Sequence, residues 1–148
     1  MFWIVAIFLF TLVLDQLTKY IIINQFSLHQ SIPIIEDIFH FTYVQNPGAA
    51  FGILKGQTTF FIIVTIIAVV GIIYLYNELE ETGFLLYLAL GLALGGIFGN
   101  LIDRIRFGYV IDFLDFRIWP VFNIADSAIV VAVAIFSYYL LIIEPRKG

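Results

Sequence analysis

Four long apolar segments constrain the fold of this chain more than any other feature. A helix needs about 20 apolar residues to cross the hydrocarbon core of a bilayer, and segments of this kind lie at about residues 2–23, 57–76, 83–102 and 124–143. The chain is 62% hydrophobic and only 12% charged, which excludes an ordinary soluble domain. The sequence therefore predicts a membrane α-helical protein with four transmembrane helices, folded as a single domain over residues 1–148.

The segments between the helices differ in length and pattern. A short acidic turn at residues 78–81 joins the second and third helices, whereas the other two connections, roughly residues 24–55 and 103–121, are longer and lie together on the opposite side. Residues 39–44 alternate aromatic with smaller or polar side chains, which is the period of a β-strand. The turn at residues 46–48 then ends it. We predict a small β-sheet and loop between helices 1 and 2, at the membrane interface.

Composition excludes several classes of function. The chain has no cysteine, so disulfides, thiolate metal sites and a cysteine nucleophile are excluded. His29 and His40 belong to no zinc-binding pattern, and we expect no metal or cofactor. With a net charge of −4 and seven Lys and Arg residues, the chain offers no basic face for nucleic acid.

Two aspartates, Asp112 and Asp126, bracket the last connection and the start of the fourth helix. A carboxylate at membrane depth is costly and commonly functional. The helix N-terminus favours an ionised Asp126, and a second carboxylate nearby then ionises less easily, as in the dyads that activate water against an amide. The alternative is a helix-terminal charge beside an unrelated loop aspartate. Asp115 is a rival for the loop position, but it lacks the apolar setting of Asp112 on both sides.

Polar side chains surround these acids along the sequence. Asn123 lies three residues before Asp126, where it is suited to orient the carboxylate, to bind a substrate carbonyl, or to cap the helix. Earlier in the chain, Asn100 and Arg104 lie at the end of the third helix, where polar side chains at membrane depth need partners. Arg104 has three candidate partners, namely Asp103, one of the acids, or a lipid phosphate. Three glycines at four-residue spacing favour close helix packing there: Gly91, Gly95 and Gly99.

Two further groups of polar residues precede the second helix. Asp15 and Lys19 are four residues apart in the first helix, a spacing that predicts an ion pair easing their burial or, alternatively, a Lys19 that supports the site. Asn46 begins a turn with Pro47 and Gly48. Turn structure explains the proline and glycine but neither Asn46 nor Phe51.

Taken together, these motifs resemble the lipoprotein signal peptidases (signal peptidase II) of bacteria. Five blocks match in the family's order and no motif position departs from the pattern, so the resemblance is highly specific. The blocks span residues 15 to 126, and they are Asp15-Gln16-x-x-Lys19, Asn46-x-Gly48-x-x-Phe51, Gly95-Gly96-x-x-Gly99-Asn100-x-x-Asp103-Arg104, Val110-x-Asp112-Phe113 and Phe122-Asn123-x-Ala125-Asp126.

The resemblance implies a concrete activity. The family's members are aspartic endopeptidases that remove signal peptides from diacylglyceryl-modified prolipoproteins, cutting just before the lipidated cysteine, and globomycin-type inhibitors target them. By position, Asp112 and Asp126 would be the catalytic dyad that activates water. Residues matching the family's substrate-binding and supporting positions are Asp15, Lys19, Asn46, Gly99, Asn100, Arg104 and Asn123.

The resemblance also implies an orientation of the chain in the membrane, and the distribution of basic residues predicts the opposite one. The family lies in the bacterial cytoplasmic membrane with both termini cytoplasmic, and its extracytoplasmic sheet and loop cradle the substrate near the outer leaflet. The count of basic residues places the long loops in the cytoplasm instead, since Lys55, Arg104, Arg106 and Arg117 outnumber Arg146 and Lys147. We follow the family, because Arg104 belongs to a motif. We expect a monomer whose partners are the prolipoprotein and membrane lipids.

A proton-coupled small membrane carrier is the main alternative from another class, since intramembrane acids with Asn and Arg also build ion paths. A carrier predicts acids near the middle of helices and an internal repeat. Here the acids lie at helix ends and no repeat is visible. A non-catalytic membrane scaffold would leave the polar clusters unexplained.

Overall fold

The computed structural model describes residues 1–48, 58–78 and 83–143, which form four helices and three strands. The helices are α1 (Phe2–Gln25), α2 (Thr58–Glu78), α3 (Phe84–Phe107) and α4 (Ile124–Tyr138), the last continued by a π-helical turn (Tyr139–Ile143). The strands are β1 (Ser31–Ile35), β2 (Phe39–Asn46) and β3 (Val110–Asp115). Some sequence features lie outside the described residues, namely Phe51, Lys55, Arg146, Lys147 and most of the acidic turn.

Three of the described helices are long and apolar enough to cross a membrane: α1, α3, and α4 with its π-helical turn. Within α2, the apolar stretch Thr59–Tyr74 is shorter. The third helix ends at Phe107, beyond the end near residue 102 that the sequence indicated. The charges that follow residue 102 belong to its last turns, where Arg104 and Arg106 suit the negative end of the helix dipole. Gly108 then ends the helix in the left-handed conformation, with φ at 79°.

Helix α3 is central and packs closely against α1 through the predicted glycines. A Cβ atom on Gly91 would lie 2.7 Å from the Ile7 Cβ, and one on Gly95 would lie 2.5 Å from the Thr11 Cβ. The adjacent Gly96 faces α4, where a Cβ would collide with the backbone oxygen of Ala125. Small residues therefore let α1 and α4 approach neighbouring faces of α3, as expected for helix packing in lipid.

Gly95→Ala tests this packing. The added methyl group overlaps Thr11, so we expect a loss of roughly 1–3 kcal/mol of stability, which is typical of overpacking. Gly71→Ala in α2 is the matched control, because a Cβ there meets nothing within 4 Å, and alanine favours a helix over glycine by up to about 1 kcal/mol. Thermal unfolding in detergent measures both variants. Equal unfolding temperatures would contradict the close approach of α1 and α3.

The antiparallel sheet, in the order β1-β2-β3, draws on both long connections. The sequence placed the sheet between helices 1 and 2, which holds for β1 and β2, but β3 comes from the connection between α3 and α4. Val44 pairs with Asp112, and Asn46 pairs with Val110. This register brings the end of β2 beside the first aspartate of interest.

A small apolar core holds the sheet against the helices. Its buried members are Ile22 of α1, Tyr43 of β2, and Ile111 and Phe113 of β3. Since Ile111 and Phe113 alternate with Asp112 along β3, their burial directs Asp112 to the opposite face of the strand. The packing of β3 therefore aims the aspartate toward α3 and α4.

Candidate active site

Strand β3 and the first turn of α4 bring Asp112 and Asp126 to one cavity of about 280 Å³. Asn46, Asn100 and Arg104 also line this cavity. Asp112 is almost fully buried, with 1% of its surface exposed, whereas Asp126 is half-buried. The structure therefore brings together the two acids and three of the polar residues that the sequence singled out.

Two amides hold the carboxylate of Asp112. Asn46 Nδ2 donates to Oδ2 at 2.8 Å, and Asn123 Nδ2 donates to Oδ1 at 2.7 Å. Burial, reinforced by the negative charge of Asp126, raises the pKa of Asp112 to about 7, although these hydrogen bonds oppose the shift. Asp112 therefore exchanges its proton near neutral pH, as a general acid or base requires.

Asp126 is held by the start of its own helix. Its backbone N–H donates to Asn123 Oδ1 at 2.8 Å, so Asn123 caps α4 as the sequence suggested. The same Asn123 side chain also donates to Asp112 Oδ1, so one residue caps the helix and orients a carboxylate. Asn100 Nδ2 donates to Asp126 Oδ1 at 2.7 Å. Both acids are therefore oriented by asparagine side chains.

Arg104 lies at the edge of the cavity and not in a salt bridge with Asp103. Its guanidinium carbon lies 4.2 Å from the centre of the Phe61 ring, a cation–π contact, and Nη2 donates to the Gly48 carbonyl oxygen at 3.5 Å. Asp103 pairs with Lys19 instead. Arg104 therefore presents a positive charge to the cavity that also contains Asp126.

A buried cluster of charges lies behind the cavity. Lys19 Nζ is 2.9 Å from Asp15 Oδ2 and 2.8 Å from Asp103 Oδ2, and the three residues are at most 1% exposed. Asp15 Oδ1 accepts the Ala125 backbone N–H at 2.9 Å, and Asp103 Oδ2 accepts that of Ile111 at 3.1 Å. The cluster therefore joins α1 to the segments that carry both cavity acids.

Gly99 belongs to this supporting layer. A Cβ atom there would lie 2.5 Å from the Asp15 carboxylate oxygen and 3.3 Å from the Ala125 Cβ. Gly99 is not among the residues that line the cavity. Its position lets the cluster approach the start of α4.

Comparison with known proteins identifies the family. A family model described as Signal peptidase (SPase) II matches residues 7–142. The chain belongs to the signal peptidase II family. It is therefore a membrane aspartic peptidase, and the family predicted from the motifs is confirmed.

Relatives and solved structures agree with this assignment. The chain is 51% identical to the lipoprotein signal peptidase of Moorella thermoacetica, over 95% of this chain and 93% of the relative. It is 50% identical to that of Halothermothrix orenii, over 89% of this chain and 90% of the relative. A solved bacterial membrane enzyme superposes with a TM-score of 0.88 at 37% identity, over 93% of this chain and 87% of that one.

Asp115, the alternative to Asp112 in this signal peptidase II sequence, forms its hydrogen bonds within the sheet and the turn that follows it. Thr42 Oγ1 donates to its Oδ2 at 2.7 Å, and Arg117 donates through both its backbone N–H and its Nη1. Burial alone would raise the pKa of Asp115, but these hydrogen bonds and the Arg117 charge lower it overall. Asp115 is not among the cavity residues, which leaves Asp112 as the β3 acid of the site.

Sequence reasoning missed several residues in and around the candidate site of this signal peptidase II chain. Phe61 and Trp119 form part of the cavity wall, and no motif pointed to either. Asp103 was named in a motif block and as a partner of Arg104, but it was given no contact with Lys19, although it continues the four-residue spacing of the glycines that face α1. That spacing was the signal that would have paired it with Lys19. Within residues 1–48, 58–78 and 83–143, no cluster of three or more His, Cys, Asp or Glu side chains suits a metal ion.

Proposed function

We propose that this chain removes signal peptides from diacylglyceryl-modified prolipoproteins and cuts just before the lipidated cysteine. The observation that carries the proposal is the sharing of one cavity by Asp112 and Asp126, in a chain of the signal peptidase II family. Relatives named lipoprotein signal peptidase are 50% and 51% identical to this chain over most of both chains, and they support prolipoproteins as the substrate class.

The chemistry follows from two carboxyl groups that share one proton. The ionised carboxylate takes a proton from a water molecule, whose oxygen attacks the carbonyl carbon of the peptide bond. The protonated carboxyl group donates its proton to the carbonyl oxygen, which gives a tetrahedral intermediate. The carboxyl group that took the proton from water then protonates the leaving amine, the C–N bond breaks, and a hydroxyl proton of the intermediate returns to the other carboxylate. The products are a signal peptide ending in a carboxylate and a lipoprotein whose cysteine carries a free amine.

The polar residues of the cavity have distinct proposed roles. Asn46, Asn100 and Asn123 orient the acids through the hydrogen bonds described above. Arg104, stacked on Phe61, donates to backbone carbonyl groups of the substrate. A globomycin-type cyclic peptide offers similar carbonyl groups and would occupy the same cavity.

The arrangement of the helix ends supports a topology with four spans. The sheet and the cavity lie where α1 and α3 end and where α2 and α4 begin. The 21-residue α2 has a length of about 32 Å, enough to be the fourth span. We propose that both termini are cytoplasmic and that the sheet lies at the outer leaflet of the bacterial cytoplasmic membrane. The site needs one chain only, so a monomer suffices.

Peptide cleavage by the purified protein in detergent tests the function. A prolipoprotein is offered in diacylglyceryl-modified and unmodified forms, and mass spectrometry locates the new N-terminus. We expect cutting of the lipidated form only, with the modified cysteine first in the product. A folded protein that cuts neither form would overturn the proposal and favour a proton-coupled carrier.

The pH dependence of cleavage tests the proton sharing. Because the pKa of Asp112 is raised to about 7, its protonated form is present below that pH and is lost above it. On the alkaline limb, which begins near pH 7, we expect kcat/KM to fall about tenfold for each further pH unit. Steady-state rates between about pH 5 and about pH 9 measure this. A rate that stays constant to the upper end would contradict a protonated carboxyl group.

A further inference from the structure

We propose that Lys19 is a positioning residue that acts through Asn100 and makes Asp126 the ionised member of the pair, with Asp112 carrying the shared proton. The inference rests on the proposed peptidase function. It assigns a separate role to each acid and gives Lys19 a role beyond easing the burial of Asp15.

Lys19 reaches Asn100 as well as two carboxylates. Its Nζ lies 3.0 Å from Asn100 Oδ1, in addition to its ion pairs with Asp15 and Asp103. An ammonium group has three donors and no acceptor. All three donors are therefore used, and the Asn100 atom facing Lys19 must be the carbonyl oxygen.

This contact sets the direction of the Asn100 amide. With Oδ1 held by Lys19, Nδ2 faces Asp126 Oδ1 at 2.7 Å. The reversed amide would oppose the NH₂ group to the ammonium and the carbonyl oxygen to the carboxylate. Buried polar groups left unpaired in this way are costly, so Lys19 keeps a donor pointed at Asp126.

Asn123 is fixed in the same manner from the other side. The backbone N–H of Asp126 donates to Asn123 Oδ1, which leaves Nδ2 to donate to Asp112 Oδ1 at 2.7 Å and Asn100 Oδ1 at 3.0 Å. The oxygen of Asn100 therefore accepts from both Lys19 and Asn123. The two amides form one connected network between the buried ammonium and both acids.

The surroundings of the two acids then decide where the proton lies. Among the residues that the structure describes, the cluster and the cavity contain four carboxyl groups, of Asp15, Asp103, Asp112 and Asp126, and two cations, Lys19 and Arg104. A shared proton reduces this excess of negative charge.

Asp126 is the better site for the remaining negative charge. It lies half-buried in the first turn of α4, where the helix dipole favours a negative charge, whereas Asp112 lies on strand β3. The side chain of Asp112 is more deeply buried, and its donors among the described residues are the neutral amides of Asn46 and Asn123. Asp126 therefore accepts the proton of the attacking water, and Asp112 supplies its proton to the substrate.

The pH profile of cleavage distinguishes this positioning role from a structural one. In Lys19→Met we expect the acidic limb of kcat/KM to move up by about one pH unit, because the ionised acid loses its oriented donor. We also expect kcat to fall about 100-fold, with KM changed less than about threefold. A fall in kcat with an unmoved acidic limb would overturn the proposal.

Asn100→Ala leaves the three-charge cluster intact and keeps the proposal testable if Lys19→Met does not fold. It should move the acidic limb in the same direction, and an unmoved limb in the folded variant would overturn the proposal. Because Lys19 acts through Asn100, the double variant should show no larger displacement than Asn100→Ala alone. Additive displacements would show that Lys19 acts by another route.

Gln16→Met is the matched control for damage to the cluster. Gln16 donates to Asp15, Asp103 and the Gly99 carbonyl oxygen, and no hydrogen bond joins it to Asn100 among the described residues. Its acidic limb should stay at the wild-type position, and an equal displacement would overturn the specific role of Lys19. A wild-type protein that cleaves no lipidated substrate would reject the function itself, whereas a normal wild type with unmoved limbs would reject only the positioning role.

Discussion

We expect Asp112→Asn and Asp126→Asn each to lower kcat for prolipoprotein cleavage by about 10⁴-fold, on the scale known for loss of a catalytic carboxylate. Asparagine keeps the size of the side chain and its hydrogen-bonding reach but removes the ionisable group. Either variant therefore leaves one carboxyl group that has no partner with which to share a proton. Cleavage of the lipidated substrate by purified variants measures the effect.

Asp115→Asn is the matched control for these substitutions. Asp115 is a buried carboxylate on the same strand, but its hydrogen bonds go to Thr42 and Arg117 and it does not line the cavity. We expect a loss of stability of about 1–3 kcal/mol and a cleavage rate within about tenfold of the wild type. If Asp115→Asn abolishes cleavage while Asp112→Asn does not, the β3 acid is wrongly assigned.

Asn123→Ala has the second large effect, because one side chain serves the helix and the site together. Alanine removes the cap of α4 and the hydrogen bonds to Asp112 Oδ1 and to the Ile111 carbonyl oxygen at 3.2 Å. We expect a loss of about 2–4 kcal/mol of stability and at least about a 100-fold fall in kcat.

Asn123→Ser separates the two roles of this residue. Serine is a good N-cap and still accepts the Asp126 backbone N–H, but its side chain is too short to reach Asp112. The unfolding temperature should recover most of its wild-type value, while kcat stays as low as in Asn123→Ala. Recovery of both together would show that Asn123 affects cleavage only through the stability of α4.

The spacing of residues in the sequence correctly predicted which face of α3 packs against another helix. The four-residue spacing of Gly91, Gly95 and Gly99 indicated a packing face, and the structure places that face against α1. The predicted end of α3, near residue 102, was wrong, because charged residues near the end of a helix resemble a loop in sequence. They stay helical here since Asp103 is neutralised by Lys19, which is remote in sequence.

The motifs predicted the residues of the candidate site, but they did not predict the strand pairing and hydrogen bonds that connect those residues. Asp112, Asp126 and Asn123 stand out because polar groups are rare in this chain. Strand β3 was missed because its paired residues in β2 lie between about 64 and 75 residues earlier, and a pairing at that distance leaves no local pattern. The direction of the Asn100 amide depends on Lys19, 81 residues away, so no reading of local sequence predicts it.

Infrared spectroscopy of the carboxyl groups tests most directly whether the two acids share one proton. The wild type, Asp112→Asn and Asp126→Asn are compared as the pH is raised from about 5 to about 8. We expect a protonated carboxyl band in the wild type that disappears near pH 7, is absent from Asp112→Asn, and disappears at lower pH in Asp126→Asn because the neighbouring charge is gone. A wild type without a protonated carboxyl group, or a band that persists unchanged in Asp112→Asn, would contradict the shared proton.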